Sequence, residues 1–312
     1  MTITQLQYVL AVAEYKNFTL AAEKSFVTQP TLSMQVQKLE DELDVLLFDR
    51  SKKPIKVTEV GKKIVAQAKN IVNEAHRIKD IVDQEKGFIG GDFVLGIIPT
   101  IMPTLLPMFL KTFINKYPKV NLIIREQNTE SLIENLRDGH LDAAIAATPL
   151  EVDFLVERPL YYEPFVGYVP KQHRLGDQKK LAPEDLEIGD ILLLQDGHCF
   201  REGVLNLCRA PLRLTDTSFK LQSGSFETLV NLANEGMGMT LLPYLNTLEL
   251  DERKRENLKY FKDPPPAREV SIIFHKNELK LQITEAIKDT IASVVRGAIA
   301  FQDVKIISPL GN

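Results

Sequence analysis

Between residues 58 and 86 the chain carries no proline, and its single glycine there is Gly61. Ile64, Ala68, Ile71, Ala75, Ile78 and Val82 recur in that stretch at alternating spacings of four and three. Lys62, Lys63, Lys69, Asn70, Glu74, Arg77, Lys79, Asp80 and Asp83 fill the positions between them. A heptad seam of this kind predicts a long helix that pairs with another helix. One amphipathic helix lying on a neighbouring domain has the same pattern, and both readings are open. Either way a stiff rod divides the chain, and Gly87, Gly90 and Gly91 end it.

With 312 residues, 44% hydrophobic and 26% charged, the chain reads as a soluble globular protein of about two domains. A net charge of −4 gives no global basic field, so any nucleic-acid contact must come from a local patch. The start, Met1-Thr2-Ile3-Thr4-Gln5, lacks the basic and apolar regions of a signal peptide. No apolar run is long enough to span a bilayer, which predicts a cytoplasmic protein without membrane partners. Two cysteines do not make a disulfide scaffold, and a disulfide in a reducing compartment would be transient or regulatory.

Residues 1–58 hold short helical segments. Leu6, Val9, Leu10 and Ala13 share one face, and Phe18-Thr19-Leu20-Ala21-Ala22 opens a second helix with Asn17 or Thr19 as cap. Thr28 can cap a third, with Pro30 in its first turn. Leu32, Val36 and Leu39 form its buried stripe, leaving Gln29, Thr31, Ser33, Gln35 and Lys38 as a polar face. This is the helix-turn-helix layout, with the third helix reading base edges in the major groove. Arg50-Ser51-Lys52-Lys53-Pro54-Ile55-Lys56-Val57-Thr58 reads as a basic β-hairpin wing suited to phosphates; a solvated charged loop is the plainer reading.

The remaining residues alternate strands and helices, which predicts a parallel sheet with covering helices. Expected strands are 93–97, 120–124 and 141–145; expected helices are 105–117, 131–138 and 283–300. The chain should cross into a second lobe near Phe165, hold Ile191-Leu192-Leu193-Leu194 and the run 236–243 there, and return through 270–274. Small ligands bind between such lobes.

Residues 1–58 resemble the N-terminal winged helix-turn-helix of LysR-type transcriptional regulators. The matching residues are Phe18-Thr19-Leu20-Ala21-Ala22, Thr28-Gln29-Pro30-Thr31-Leu32-Ser33, Lys38-Leu39-Glu40, Leu46-Leu47-Phe48-Asp49-Arg50 and Thr58-Glu59-Val60-Gly61. Gly139-His140-Leu141-Asp142 and the run 236–243 are similar to landmarks of the same family further on. The resemblance implies an all-α winged domain at 1–58, a dimerisation helix and hinge at 59–90, and a two-lobed, periplasmic-binding-protein-like (type II) α/β effector domain at 91–312. Its lobes would be 91–164 with 268–300, and 165–267. The family also implies double-stranded promoter DNA as a partner, a dimer of dimers, and contact with RNA polymerase. Thr28, Gln29, Pro30, Thr31, Ser33, Gln35, Lys38, Arg50, Lys52 and Lys53 are the expected DNA-contacting residues.

The two cysteines stand nine positions apart, in Gly197-His198-Cys199-Phe200-Arg201-Glu202-Gly203 and on to Cys208. Alone, the pair reads either as inert core or as a reactive thiol, held partly as thiolate beside His198 and Arg201, with a resolving partner. The stretch resembles the peroxide-sensing OxyR branch of the LysR-type regulators, with further matches at Ile98-Pro99-Thr100, Gln127-Asn128-Thr129 and Arg268. That resemblance implies a peroxide-reacting Cys199, a resolving Cys208, a peroxide pocket of Thr100, Thr129, His198 and Arg268, no cofactor, and a glutaredoxin- or thioredoxin-like reductant. Glu202 departs from the aspartate of that branch. A helix over 199–208 would hold the two Cα atoms about 13 Å apart, against about 7 Å for a disulfide, so the segment would have to deform.

Three other readings compete with this one. A LysR-type regulator answering to a small organic co-inducer would use the same cleft. A cysteine-dependent peroxidase fits poorly with a helix-turn-helix. A zinc site at His198, Cys199, Cys208 and His173 lacks the closely spaced ligand pairs such sites use, so no metal is expected.

Overall fold

The computed structural model describes residues 1–85, 89–208, 221, 223–299 and 304–310. The chain forms two compact units, residues 1–88 and 89–312.

In the first unit α1 (Ile3–Tyr15) opens on a capping box between Thr2 and Gln5. Asn17 caps α2 (Phe18–Lys24), accepting hydrogen bonds from the Thr19 and Leu20 amides. Thr28 caps α3 (Gln29–Leu43) through the Thr31 amide, with Pro30 in the first turn. Strands β1 (Phe48–Asp49) and β2 (Lys56–Val57) pair antiparallel as the wing, which begins earlier than the expected Arg50. Leu6, Val9, Ala21, Leu32, Val36 and Leu39 fill the core.

Glu40 fixes the wing to α3. It is buried, its Oε1 accepts from the Leu47 and Phe48 amides at 2.7 and 3.2 Å, and its Oε2 accepts from Arg50 Nη2 at 2.7 Å. Arg50 also lies 4.8 Å over the Phe18 ring.

Helix α4 (Glu59–Glu85) runs 27 residues. Its stripe divides between the two open readings. Ala68 and Val72 are buried, and Ile64, Val65 and Ile71 pack on the core of this unit's own helices. Ile78, Ile81 and Val82 are 66, 48 and 44% exposed. The first half of the stripe is therefore used within the chain, and only the second half is left for another helix. Gly87 of the expected break lies outside the described residues.

The second unit is built around one path of strands. In chain order its elements begin with β3 (Gly91–Ile97), α5 (Met102–Lys116), β4 (Val120–Glu126), α6 (Thr129–Arg137), β5 (Ala143–Thr148), β6 (Leu155–Tyr168) and β7 (Lys180–Leu181). They continue with α7 (Cys199–Cys208), α8 (Phe226–Asn234), β8 (Thr240–Pro243), α9 (Tyr244–Thr247), α10 (Glu252–Arg255), β9 (Leu258–Phe261), β10 (Pro266–His275), α11 (Leu281–Val295) and β11 (Lys305–Ile306). Strand order is β4-β3-β5-β10-β6-β9-β7, with β11 beside β10 and β8 beside β6. β3 pairs parallel with β4 and β5; β10 is antiparallel to β5 and β6.

β6 is the crossing. Its residues Leu155 to Pro164 pair with β10, and Phe165 to Tyr168 pair with β8, with β9 joining from Val166. Each end serves a separate apolar core. Phe93, Leu95, Phe109, Ile145 and Ile272 belong to one; Phe165, Phe200, Val204, Leu207 and Leu241 belong to the other. The effector unit is thus two-lobed. Some bounds differ from expectation. β5 starts at Ala143, because Asp142 ahead of it spends its carboxylate on the Val94 amide and Lys280 Nζ. α6 starts at Thr129, because Asn128 supplies the cap. α11 is described to Val295, and Ala300 lies outside the described residues.

Glu278, in the turn before α11, is half-buried near Asp142, and burial with that neighbouring charge pushes its carboxyl up to about 7. The unfolded chain ionises near 4.5 while the folded chain keeps the proton to about 7, so this group costs stability progressively as pH rises through that window. Glu278→Gln should match the parent protein near pH 4.5 and exceed its stability by about 3 kcal/mol at pH 8, measured by urea unfolding. In the first unit, Glu40→Ala removes the carboxylate that accepts from two amides and from Arg50. Chemical denaturation should show a loss of about 2–4 kcal/mol.

Candidate functional site

α7 carries Cys199 as its first residue and Cys208 as its last, and both are free thiols. Phe200, Val204 and Leu207 bury one face of the helix in the second lobe. Cys208 packs on that same core, whereas Cys199 packs against the core of the first lobe. The helix therefore presents its N-terminal thiol across the seam between lobes and keeps its C-terminal thiol at home. Nine residues of helical rise set the Cα atoms about 13 Å apart.

Around Cys199 the first lobe contributes Thr129 at the start of α6, Ala147 of β5 and Arg268 of β10. Burial raises the thiol pKa. The Arg268 charge, the Thr129 hydroxyl and the Ala147 and Phe200 backbones act the other way. This corrects the expectation of a thiolate held by His198 and Arg201. Arg201 is bound elsewhere, to Asp196 at 3.0 Å and to the Leu194 carbonyl at 3.1 Å. His198 is buried against Gly224, and burial lowers its pKa although Glu126 opposes the shift, so it is neutral at pH 7. Positive charge at the sulfur comes from Arg268 alone among these groups, aided by the N-terminal end of α7.

Arg268 is itself buried and held on both flanks. Its Nε and Nη2 donate to Glu163 Oε2 at 2.9 and 2.7 Å. Nη1 and Nη2 donate to Thr100 Oγ1 and the Thr100 carbonyl, both at 3.1 Å. Glu163 is also buried, and its Oε1 accepts from the Leu245 amide at 2.9 Å. The guanidinium lies 5.3 Å over the Phe200 ring of α7. Four of five N–H donors are so engaged, leaving one on Nη1. Thr100 Oγ1 accepts from Arg268, which leaves its own proton to donate. Thr129 Oγ1 and Tyr161 Oη are buried without a hydrogen-bond partner among the described residues. Burial and the Glu163 charge keep the Tyr161 phenol protonated. The structure thus sets Thr129 and Arg268 at Cys199, with Thr100 bonded to Arg268, while the charge acting on His198 is that of Glu126. Sequence reasoning missed Glu163 and Tyr161; their alternation on β6 reads as ordinary strand, and nothing in it marks a buried charge.

A separate cavity of about 530 Å³ opens between the lobes, lined by Pro99, Glu126, Phe226, Glu249 and Asp251 among others, and its described lining does not include Cys199.

On the helix-turn-helix, Gln29, Thr31 and Lys38 are exposed along α3, and Lys52 and Lys53 are exposed on the wing. Pro30 is exposed as well, and Thr28 is engaged with Thr31, hydroxyl to hydroxyl, at 2.8 Å. Ser33 accepts from Arg50 at 3.3 Å and Gln35 from Gln5 at 3.3 Å. Arg50 thus has a structural engagement that the sequence did not reveal.

Two family models match the chain: a bacterial regulatory helix-turn-helix protein of the lysR family over residues 3–62, and the LysR substrate binding domain over residues 87–296. A hydrogen peroxide-inducible genes activator of Pectobacterium carotovorum is 33% identical over 95% of this chain and 98% of its own. The DNA-binding transcriptional dual regulator OxyR of Escherichia coli is 34% identical over 88% and 89%. Among solved structures, a full-length OxyR variant from Pseudomonas aeruginosa superposes with a TM-score of 0.75 at 33% identity, covering 94% of this chain and 98% of that one. An H2O2-bound OxyR variant from Corynebacterium glutamicum gives 0.64 at 30% identity, covering 96% and 94%. With a helix-turn-helix at its start, a two-lobed effector unit behind it and relatives of this kind along its length, the chain belongs to the LysR family of transcriptional regulators.

Proposed function

We propose that this protein is a cytoplasmic transcriptional regulator that senses hydrogen peroxide through Cys199 and a reversible Cys199–Cys208 disulfide. The observation that carries this reading is the cluster at Cys199: one thiol, two hydroxyls and one guanidinium N–H with hydrogen-bonding capacity to spare. A ligand barely larger than two waters suits such a site. The sulfur attacks one peroxide oxygen as the O–O bond breaks. The departing oxygen, stabilised by Arg268 and oriented by Thr100 and Thr129, takes the thiol proton and leaves as water. Cys199 is left as sulfenic acid. Cys208 then attacks that sulfur, the S–O bond breaks, and a second water leaves with the Cys208 proton. A dithiol and one peroxide thus give a disulfide and two waters, and a glutaredoxin- or thioredoxin-like dithiol restores the thiols.

The output is DNA binding. Gln29, Thr31 and Lys38 would meet the major groove, with Lys52 and Lys53 on flanking phosphates. The exposed Ile78, Ile81 and Val82 of α4 support pairing of two chains, as paired half-sites require. Contact with RNA polymerase and assembly of two dimers follow from the family reading. The cavity between the lobes favours a second reading, a small organic co-inducer bound there.

Treating the reduced protein with one equivalent of hydrogen peroxide should convert two free thiols to none, by intact mass and thiol counting. Two thiols left unchanged would overturn the redox reading in favour of the co-inducer. Cys199→Ser should abolish peroxide-dependent activation, whereas Cys208→Ser should stop at a sulfenic acid or mixed disulfide. Lys52→Ala should lower the slope of log affinity against log salt by about one for DNA, read by fluorescence anisotropy. An unchanged slope removes Lys52 from the phosphate contacts.

A further inference from the structure

The helix that must deform is fastened from outside. Asn206 lies on α7 between the two cysteines, and its Nδ2 donates to the carbonyls of Ser308 at 2.9 Å and Leu310 at 2.7 Å. Those carbonyls belong to the described C-terminal segment 304–310. The segment is anchored at its other end on β10, with Lys305 N donating to the Pro265 carbonyl at 2.9 Å and Ile307 N to the Ala267 carbonyl at 2.8 Å. β11 pairs parallel with β10 there, Ile306 opposite Ala267, one residue before Arg268. Ile307 packs on the second-lobe core that also receives Cys208. One short segment therefore joins the helix bearing both thiols to the strand bearing the arginine at the reacting sulfur.

We propose that Asn206 and residues 304–310 form a strap that holds α7 helical, making Asn206 a positioning residue for the disulfide step. Asn206 sits seven residues after Cys199 and two before Cys208, in the last turn of α7, so unwinding that carries Cys208 toward Cys199 displaces its backbone. A disulfide draws the Cα atoms from about 13 Å to about 7 Å or less, and the turn carrying Asn206 unwinds in the process. Its amide then leaves the Ser308 and Leu310 carbonyls, and the core that Cys208 vacates also loses its hold on Ile307. The strap opposes the second step only. Sulfenic acid formation at Cys199 takes place with α7 intact, at the end of the helix away from Asn206. The segment therefore sets how long the sulfenic acid waits for Cys208, and it is released when the disulfide forms.

This proposal rests on the redox reading of the pair, and the test separates the two. Sulfenic acid formation is followed by dimedone trapping in the Cys208→Ser background, and disulfide formation by intact mass after rapid quench in the full-length protein. Asn206→Ala should leave the trapping rate unchanged and speed disulfide formation about tenfold, the effect expected for losing two hydrogen bonds to one amide. Ile307→Ala loosens the strap from the other side and should act in the same direction. If either variant folds and neither speeds the disulfide step, the strap is wrong. Should the Cys208→Ser protein give no dimedone adduct with peroxide, the peroxide reading fails. The strap is then judged with the thiol oxidant diamide, under which the same variants should still close the disulfide faster. In the unsubstituted protein, oxidation should also shift the NMR signals of the Asn206 side-chain amide as it leaves the Ser308 and Leu310 carbonyls; signals unchanged in the disulfide form overturn release of the strap.

Discussion

Two thiols at opposite ends of a ten-residue helix cannot bond while the helix lasts, and the effector unit is arranged around that distance. α7 is not a free element that can bend at little cost. Phe200, Val204 and Leu207 are sunk in the second lobe, Asn206 is tied to the C-terminal segment, and Cys199 reaches the core of the first lobe. Bringing the sulfurs together gives up burial of several apolar side chains, each worth about 1.5–3 kcal/mol, in exchange for one covalent bond. The result is two packings rather than a continuum, which is what a switch requires. Gly203 lies within this helix, and a Cβ there would stand 3.3 Å from the Phe165 ring. It lets the helix sit close to the strand and also lowers the helix's own stability by about 1 kcal/mol relative to alanine.

The opposite wall of the site is built to stay still. Arg268 is a buried cation, and removing it from water is tolerable only because Glu163 and Thr100 take up four of its N–H donors. Those partners come from β6 and from the segment following β3, while Glu163 also receives the Leu245 amide in α9. Breaking any part strands a buried charge, so the network behaves as one piece. A rigid charged wall facing a deformable helix separates the two tasks: the first lobe fixes the geometry of attack, and the second absorbs the movement that follows.

Much of this was legible in the sequence because it obeys local rules. The caps Asn17 and Thr28, Pro30, and the stripe Leu32, Val36 and Leu39 follow from helix chemistry that neighbours in sequence decide. The crossing near Phe165 shows as an apolar run between two lobes. What was not legible is long-range. The Glu40 clamp on the wing spans seven to ten positions, the Glu163–Arg268 pair spans 105, and Asn206 meets residues 102 and 104 positions away. In each case the residue type is common on surfaces, and only tertiary packing turns it into a buried partner. The stripe on α4 left two readings open for a related reason. Periodicity reports that Ile64, Ala68 and Ile71 are covered, and it is silent on whether another chain or the same one covers them.

The order of events at the cysteines follows from their surroundings. Both thiols are raised by burial, but Cys199 has Arg268, Thr129, two backbone groups and a helix N-terminus working toward the thiolate. Among the described residues Cys208 has nothing of the kind, and burial pushes it up to about 11. At pH 7 a thiol at that value is ionised about one part in ten thousand, against about one in a hundred at its ordinary 9.0. Unwinding α7 therefore does two things at once: it closes the distance to Cys199 and returns Cys208 to water, where its nucleophilic form is about a hundredfold more abundant. Proximity and activation of the resolving thiol arise from a single conformational event. On the proposed redox reading, the lifetime of the sulfenic acid then depends on how firmly the second lobe holds its helix.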